Sequence, residues 1–351
     1  MKRRSNRKVK WISGIMAFVI ALGLFGYYNR TTLALWGFDM FLSDQVKDEL
    51  QKSYKPLDGR DPQNTSYTDM NDSKPFSVLL LGVDQRENEK GRSDTMIVAV
   101  VRPKEKAMLM ISIPRDTYTE IIGKGKSDKI THAYANGGAK MSIETVEHLF
   151  GMPIDHYAAI NFTGFRNLID AMGGISLPIG KDIVNKGKDH EKFVVKANQP
   201  SYSGQEALNY VRYREDAGGD VSRTGRQQAF LDAIMKKASG VGQWNNIPEY
   251  VGIMGEDFNT DMTPEMMVGL AKTMLQSDTR TIYSHTIKGE GHRLTAGGTW
   301  YYFADEDDLA SSIDLVESWL NPSIDKNSLP LPAEYEQEND KSVEALSASS
   351  R

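Results

Sequence analysis

The sequence predicts an α/β fold, a three-layer domain with buried strands between outer helices, preceded by one N-terminal transmembrane helix. Three observations predict it. Short runs rich in Val, Ile and Leu alternate with stretches of helical period between residues 74 and 320. The chain is 351 residues long with 40% hydrophobic residues, enough for one large or two ordinary packed domains. Near its start, a basic cluster runs into an uncharged apolar segment.

That cluster is Lys2, Arg3, Arg4, Arg7, Lys8 and Lys10, a basic tail over residues 1–10. The segment Trp11 to Tyr28 that follows carries no charge, and its eighteen residues approach the ~30 Å of a hydrocarbon core. Leu33 to Trp36 extend it beyond Arg30, which sets an anchor over residues 11–36, and Trp11, Tyr27 and Tyr28 stand where interfacial aromatics belong. No small-x-small cleavage site follows, so the anchor is expected to stay in place. The basic flank places the N-terminus in the cytoplasm and the rest outside, as a single-pass protein of the cell membrane. The absence of cysteine suits an exported bacterial protein and leaves stability to the core.

Residues 37–73 are polar, with Lys55-Pro56 and Asp61-Pro62, and read as a spacer holding a short helix from Ser43 to Tyr54. The folded unit is expected over residues 74–320. Phe76 to Val83, Thr95 to Val101 and Ala107 to Ile113 are apolar runs suited to buried strands. Met141 to Phe150 sets Ile143, Val146, Leu149 and Phe150 on one helical face and stops at Gly151. Thr163 to Met172 repeats the pattern before Gly173-Gly174. Ser203-Gly204-Gln205-Glu206 is a capping box that opens a helix reaching Arg212. Thr263-Pro264 starts another, and a last helix spans Asp305 to Leu320. Beyond Asn321-Pro322, residues 321–351 read as an acidic, Ser-rich, disordered tail.

The net charge of −5 excludes a general nucleic-acid binder, because such proteins carry a basic surplus. Against that balance, Arg212, Arg214, Arg223 and Arg226 crowd around one turn, with Asp220 and Gln227 among them. Clustered guanidiniums repel one another unless a strong anion sits between them, and a polyphosphate is the usual one. A basic, solvated helix face is the other reading. From Ser222 onward, Arg223, Arg226, Gln227 and Phe230 share a face that Ile234 continues, an order matching an anionic head with a hydrocarbon tail. Arg212 and Arg214 can face one pocket only if the helix has ended at Tyr213.

Two further segments set acids beside arginines after apolar runs: Val83-Asp84-Gln85-Arg86 leading to Gly91-Arg92-Ser93-Asp94-Thr95, and Ile113-Pro114-Arg115-Asp116. If the first two strands are adjacent and antiparallel, Asp84 and Asp94 come to one sheet edge, where two carboxylates with phosphate oxygens and water suit Mg²⁺. Read alone, Asp84 is also an ordinary strand-end turn residue. The chain has no GxSxG elbow, no P-loop and no metal-ligand spacing among its six histidines.

Taken in order, LLLGVDQR, GRSDTMIVA, SIPRDT, HAYANGG, INFTGFRNLIDAMGGI, ALNYVRYR and SRTGRQQ resemble the LytR-CpsA-Psr family over residues 75–240, with a looser likeness to 320. The resemblance implies an extracytoplasmic α/β/α sandwich with a central mixed sheet, in a Gram-positive-type bacterium. It implies an enzyme that transfers a wall polymer, such as wall teichoic acid, from polyprenyl pyrophosphate to a peptidoglycan hydroxyl. By similarity, Asp84 and Asp94 hold Mg²⁺, and Arg86, Arg92, Arg115, Arg212, Arg214, Arg223 and Gln227 hold the pyrophosphate. Arg115 and Asp94 carry catalysis, and Phe165, Ile169, Phe230 and Ile234 line a lipid tunnel. Asp94 or Asp116 accepts the hydroxyl proton. A polyprenyl-phosphate receptor that regulates the envelope without turnover is the rival reading, but a receptor gains nothing from the Asp84/Asp94 pair. A transcriptional attenuator is a third, against which the anchor counts.

Overall fold

The computed structural model describes residues 30–60, 73–84, 91–186, 192–213, 219–238, 246–275 and 281–335. The expected basic tail and the anchor up to residue 29 lie outside these, and no described helix is long and apolar enough to cross a membrane. The described chain opens with α1 (Arg30–Phe41) and α2 (Ser43–Ser53). Helix α2 forms where the short helix was expected. Its Val46 and Leu50 are buried with Phe38 of α1.

The apolar runs become β1 (Phe76–Asp84), β2 (Arg92–Arg102) and β3 (Ala107–Ser112), an antiparallel meander. A small hairpin, β4 (Tyr118–Ile121) and β5 (Lys126–Lys129), leads into α3 (His132–Phe150), which is kinked at Gly137-Gly138 and ends at Gly151 in the left-handed conformation. Then follow β6 (His156–Asn161), α4 (Phe162–Ala171), the hairpin β7 (Ile183–Asn185) and β8 (Phe193–Val195), α5 (Gly204–Arg212) and α6 (Gly219–Ala238). Next come α7 (Ile247–Met254), β9 (Phe258–Thr260), α8 (Pro264–Leu275), β10 (Thr281–Thr286), the hairpin β11 (Gly289–Arg293) and β12 (Trp300–Ala304), and α9 (Glu306–Leu320).

One six-stranded sheet runs β10-β3-β2-β1-β6-β9. It is mixed: β6 lies parallel to β1 and β10 parallel to β3, and the remaining pairs are antiparallel. Alternation sends Leu79, Leu81, Met96, Val98, Val100, Leu109 and Ile111 to one face, against Ile143, Val146 and Phe150 of α3 and Val316 and Trp319 of α9. The other face sends Phe76 and Val78 toward Met262 and Met266, and Ile97, Ala99 and Met110 toward Leu231 of α6. Helices on both faces explain why these strands read as continuous apolar runs rather than alternating ones. A separate apolar lobe lies among α4, α5, α6 and the β7–β8 hairpin.

The chain packs beyond both expected limits of 74–320. At the front, Lys55 N donates to Thr260 O at 2.7 Å, and Arg60 makes a two-pronged pair with Glu147, both bonds 2.8 Å. At the back, Leu329 and Leu331 join the main core, so residues 321–335 are a packed strap and not the start of a tail. Arg102, with no exposed surface, fixes the strap's root: it donates to the carbonyls of Trp319, Asn321 and Ile324 at 2.8, 3.1 and 2.7 Å and to Glu105 at 2.9 Å. The strap ends with Tyr335 donating to Gln228 Oε1 of α6 at 2.8 Å and with Glu334 beside His285 of β10 at 2.9 Å.

Candidate active site

Strands β1 and β2 are neighbours and antiparallel, and their pairing sets Asp84 and Asp94 at one end of the sheet. The pairing is irregular there. Gly82 faces Thr95 and Val83 faces Ser93, which leaves Asp94 as the extra residue of a β-bulge, while Asp84 faces Arg92. A Cβ on Gly82 would stand 3.0 Å from Thr95 Cβ, so glycine suits the close approach of the strands at the bulge.

Arg115 and Asp116 occupy a tight turn after β3. Pro114 O accepts from Thr117 N at 3.0 Å and from Thr117 Oγ1 at 2.6 Å, and Ile113 N still bonds Met96 O of β2 at 2.9 Å. The start of α3 locks turn and bulge together: Thr131 N donates to Arg115 O at 3.1 Å and Thr131 Oγ1 to Ser93 O at 2.9 Å. From this frame Arg115 Nη1 donates to Asp94 Oδ1 at 2.9 Å. Arg212, the last residue of α5, reaches Asp94 Oδ2 at 3.6 Å with its guanidinium 4.4 Å from the centre of the Phe162 ring. On the far side Arg115 Nε is 3.7 Å from Asp116 Oδ2, and Lys129 Nζ donates to Asp116 Oδ1 at 2.7 Å.

The result is a row of five alternating charges: Arg212, Asp94, Arg115, Asp116 and Lys129. All are partly buried, with side chains 13–23% exposed. One carboxylate bridges two guanidiniums, and the surplus is positive, as phosphate binding requires. Gln227 of α6 stands at the neighbouring end of β3, where its Oε1 accepts from Ser112 Oγ at 3.0 Å. Arg92 is exposed at the start of β2. Arg86 and Arg214 lie outside the described residues, as does the side chain of Arg223.

Helix α5 starts at the expected capping box, with both reciprocal bonds between Ser203 and Glu206 present, and ends with Tyr213 extended at ψ 137°. The helix has thus ended at Tyr213, the condition set for Arg212 and Arg214 to face one pocket, with Arg214 itself outside the described residues. Arg226, grouped in the sequence with the clustered arginines, holds this helix end: buried, it donates to Tyr213 O at 2.6 Å and lies 5.4 Å from the Tyr213 ring centre. Lys129 was missed in the sequence. Its strand is polar and short, and nothing in the sequence pairs it with Asp116.

Phe165, Ile169, Phe230 and Ile234 all meet in the lobe among α4, α5 and α6. Phe165 stacks on Phe230 with ring centres 5.0 Å apart and 25° between planes, and Ile169 is fully buried. The lobe therefore adjoins both arginines: Val211 precedes Arg212 at the end of α5, and Phe230 lies one turn after Arg226 within α6. Among the described residues no group of three or more His, Cys, Asp and Glu side chains gathers. Asp84 and Asp94, on adjacent strands, offer the one or two carboxylates with which Mg²⁺ is commonly held when substrate phosphate and water complete its shell.

A model of the LytR_cpsA_psr family matches residues 40–316. The polyisoprenyl-teichoic acid–peptidoglycan teichoic acid transferase TagU of Bacillus cereus is 37% identical over 298 residues, covering 84% of this chain and 92% of TagU. The protein of that name from Bacillus licheniformis is 35% identical over 328 residues, 93% of this chain and 99% of its own. Among solved structures, TagV of B. subtilis superposes with a TM-score of 0.59 at 31% identity, covering 72% of this chain and 99% of TagV. TagT bound to LI-WTA superposes with a TM-score of 0.56 at 27% identity, covering 77% and 95% of the two chains.

Proposed function

The chain belongs to the LytR_cpsA_psr family, and from that membership we propose that it transfers a teichoic acid or similar anionic glycopolymer from polyisoprenyl pyrophosphate to a peptidoglycan hydroxyl. The observation that carries this reading is the alternating row at the end of β1, β2 and β3 beside the apolar lobe of α4, α5 and α6. A pyrophosphate with a polyisoprenyl tail needs both, next to each other.

In the reaction, Arg115 and Arg212 share their hold on Asp94 with the oxygens of the pyrophosphate, and Gln227 and Arg92 extend the polar wall. The acceptor hydroxyl oxygen attacks the polymer-side phosphorus as the bond from that phosphorus to the bridging oxygen breaks. Polyisoprenyl phosphate leaves with the bridging oxygen, and the hydroxyl proton passes to a carboxylate of the row, Asp94 or Asp116. Phosphoryl transfer of this kind asks for placement and charge neutralisation rather than covalent catalysis. The guanidinium of Arg115 offsets charge gathering on the leaving phosphate. A bound Mg²⁺, held by Asp84 and Asp94, would neutralise the pyrophosphate oxygens further. Phe165, Ile169, Phe230 and Ile234 supply the apolar surface for the first isoprene units. Residues 11–36 anchor the chain so that this site faces the outer surface of the cell membrane, where both substrates lie; the exposed Trp36, Met40 and Phe41 of α1 suit that boundary.

The test is reconstitution. Full-length protein in detergent, given lipid-linked teichoic acid and peptidoglycan, releases one polyisoprenyl phosphate for each polymer attached. Retention of the intact lipid-linked polymer without release would make the protein a receptor and refute the reading.

A further inference from the structure

The reaction needs a second substrate, and no residue described so far holds it. The β11–β12 hairpin is rooted on the reaction turn: Tyr302 N donates to Asp116 O at 2.9 Å, Tyr302 Oη to Ile287 O at 3.0 Å, and Tyr302 is buried. The Tyr301/Phe303 side of the hairpin is used up in packing, as is the Tyr302 end of the other side. Tyr301 and Phe303 hold Tyr118, two residues from Asp116, with ring centres 4.9 and 5.3 Å away, and His292 stacks on Phe303 at 4.0 Å.

On the other side Trp300 is 39% exposed. A Cβ on Gly291, on the opposing strand, would fall inside the Trp300 indole, so the ring lies against bare backbone and its pose depends on that glycine. Polar groups flank it. Arg293 faces Trp300 in the register, is exposed and donates to Gly298 O, and the exposed Thr299 adjoins Trp300 in the chain. Leu294 is the single large apolar neighbour exposed on this hairpin besides the indole.

We propose that Trp300, seated on Gly291, is a stacking platform for a pyranose ring of the acceptor glycan strand. The inference rests on the transfer reading above and names its acceptor subsite. A flat aromatic face with a hydrogen-bonding rim matches a sugar, which presents C–H groups on one face and hydroxyls at its edge. A lipid or protein partner would call for a contiguous apolar patch of several hundred Å², and this hairpin does not offer one. Location agrees. Trp300 stands two positions before Tyr302, which is tied to Asp116, about 7 Å along the strand, a span that a disaccharide bridges.

The experiment uses full-length protein in detergent and an uncrosslinked glycan strand prepared from peptidoglycan as probe, read by titration calorimetry. Trp300→Ala is expected to weaken glycan binding about tenfold and to raise the KM for peptidoglycan by a similar factor. Trp300→Phe should recover part of the loss. Gly291→Ala, which keeps the indole but displaces it, should weaken binding as Trp300→Ala does, with an unchanged melting temperature. Glycan binding that survives both alanine variants overturns the platform. So does a loss in Trp300→Ala confined to binding of anionic phospholipid vesicles, which would make the hairpin a membrane contact. Failure of the transfer reading looks different: wild-type protein would release no polyisoprenyl phosphate, whatever the variants bind.

Discussion

Replacing Asp94 by Asn separates binding from chemistry at this site. The carboxylate is held between Arg115 at 2.9 Å and Arg212 at 3.6 Å, and the side chains involved are 13–23% exposed. At an effective dielectric constant near 20, each such contact is worth roughly 4 kcal/mol of Coulomb energy before solvation is counted. Asparagine keeps the shape and one acceptor but removes the charge, so both guanidiniums become more available to a pyrophosphate. Donor affinity should therefore hold or rise. The chemical step should suffer, because the variant lacks the carboxylate proposed to hold the metal and accept the proton, and leaves Arg115 less firmly aimed. Loss of one preorganised group commonly costs about 2.7–4 kcal/mol of barrier, or 10²–10³ in rate. The assay pairs single-turnover release of polyisoprenyl phosphate with a binding titration of a non-hydrolysable lipid pyrophosphate. Wild-type turnover in Asp94→Asn, or an affinity loss as large as the rate loss, would refute the assignment.

Arg102→Ala tests the strap: it leaves three carbonyls without their buried donor and should destabilise the protein by about 3–5 kcal/mol, seen as a lower urea midpoint with an unchanged slope; a shift within error would show that the strap is held elsewhere. The His285 clamp predicts a pH dependence. Burial lowers the His285 pKa, but bonds to Glu334 and Asp308 outweigh it and raise it above the ordinary 6.5. The His285 bond holds the Glu334 carboxyl below its ordinary 4.5, and for Asp308 burial is outweighed by bonds from Lys288 N and His285, which hold it below 3.8. The histidine contribution is complete below pH 6.5 and fades as pH rises through the raised value; the carboxylate contributions are present above about 4–4.5 and fade as pH falls through the depressed values. Hydrogen exchange in residues 329–335 should thus be slowest relative to the intrinsic rate at pH 5–6 and less protected at pH 8; equal protection would contradict the clamp. Chelation by EDTA should stop transfer and added Mg²⁺ restore it; full activity after exhaustive chelation would remove the metal role from Asp84 and Asp94.

The central strands were legible because residues such as Leu79, Val98 and Leu109 are buried in continuous apolar runs, a pattern that a surface strand does not show. Helix starts were legible wherever a cap has a chemical signature, as at Ser203 and Pro264. The strap was not. Its prolines read as breaks in structure, whereas Pro330 lends its carbonyl to Trp319 Nε1 at 2.9 Å and its neighbours fill the core. Arg102 was hidden for the complementary reason, since an arginine at a strand end reads as a surface charge until the carbonyls around it are seen. At the site, residue types and segments were readable, and the antiparallel pairing of β1 and β2 could be posed as a condition. The bulge that makes Asp94 the odd residue depends on register, which no local pattern encodes. Lys129 and Arg226 depend on tertiary contacts with Asp116 and Tyr213.

The central claim is that Arg115, braced between Asp94 and Asp116, stabilises the transferring pyrophosphate. The most direct measurement is polyisoprenyl phosphate release and polymer attachment to peptidoglycan by purified wild-type protein and Arg115→Ala, at matched fold stability. The account predicts stoichiometric release and attachment by the wild type and a loss of about 10²–10³ in the variant. Equal rates in the two proteins would contradict it.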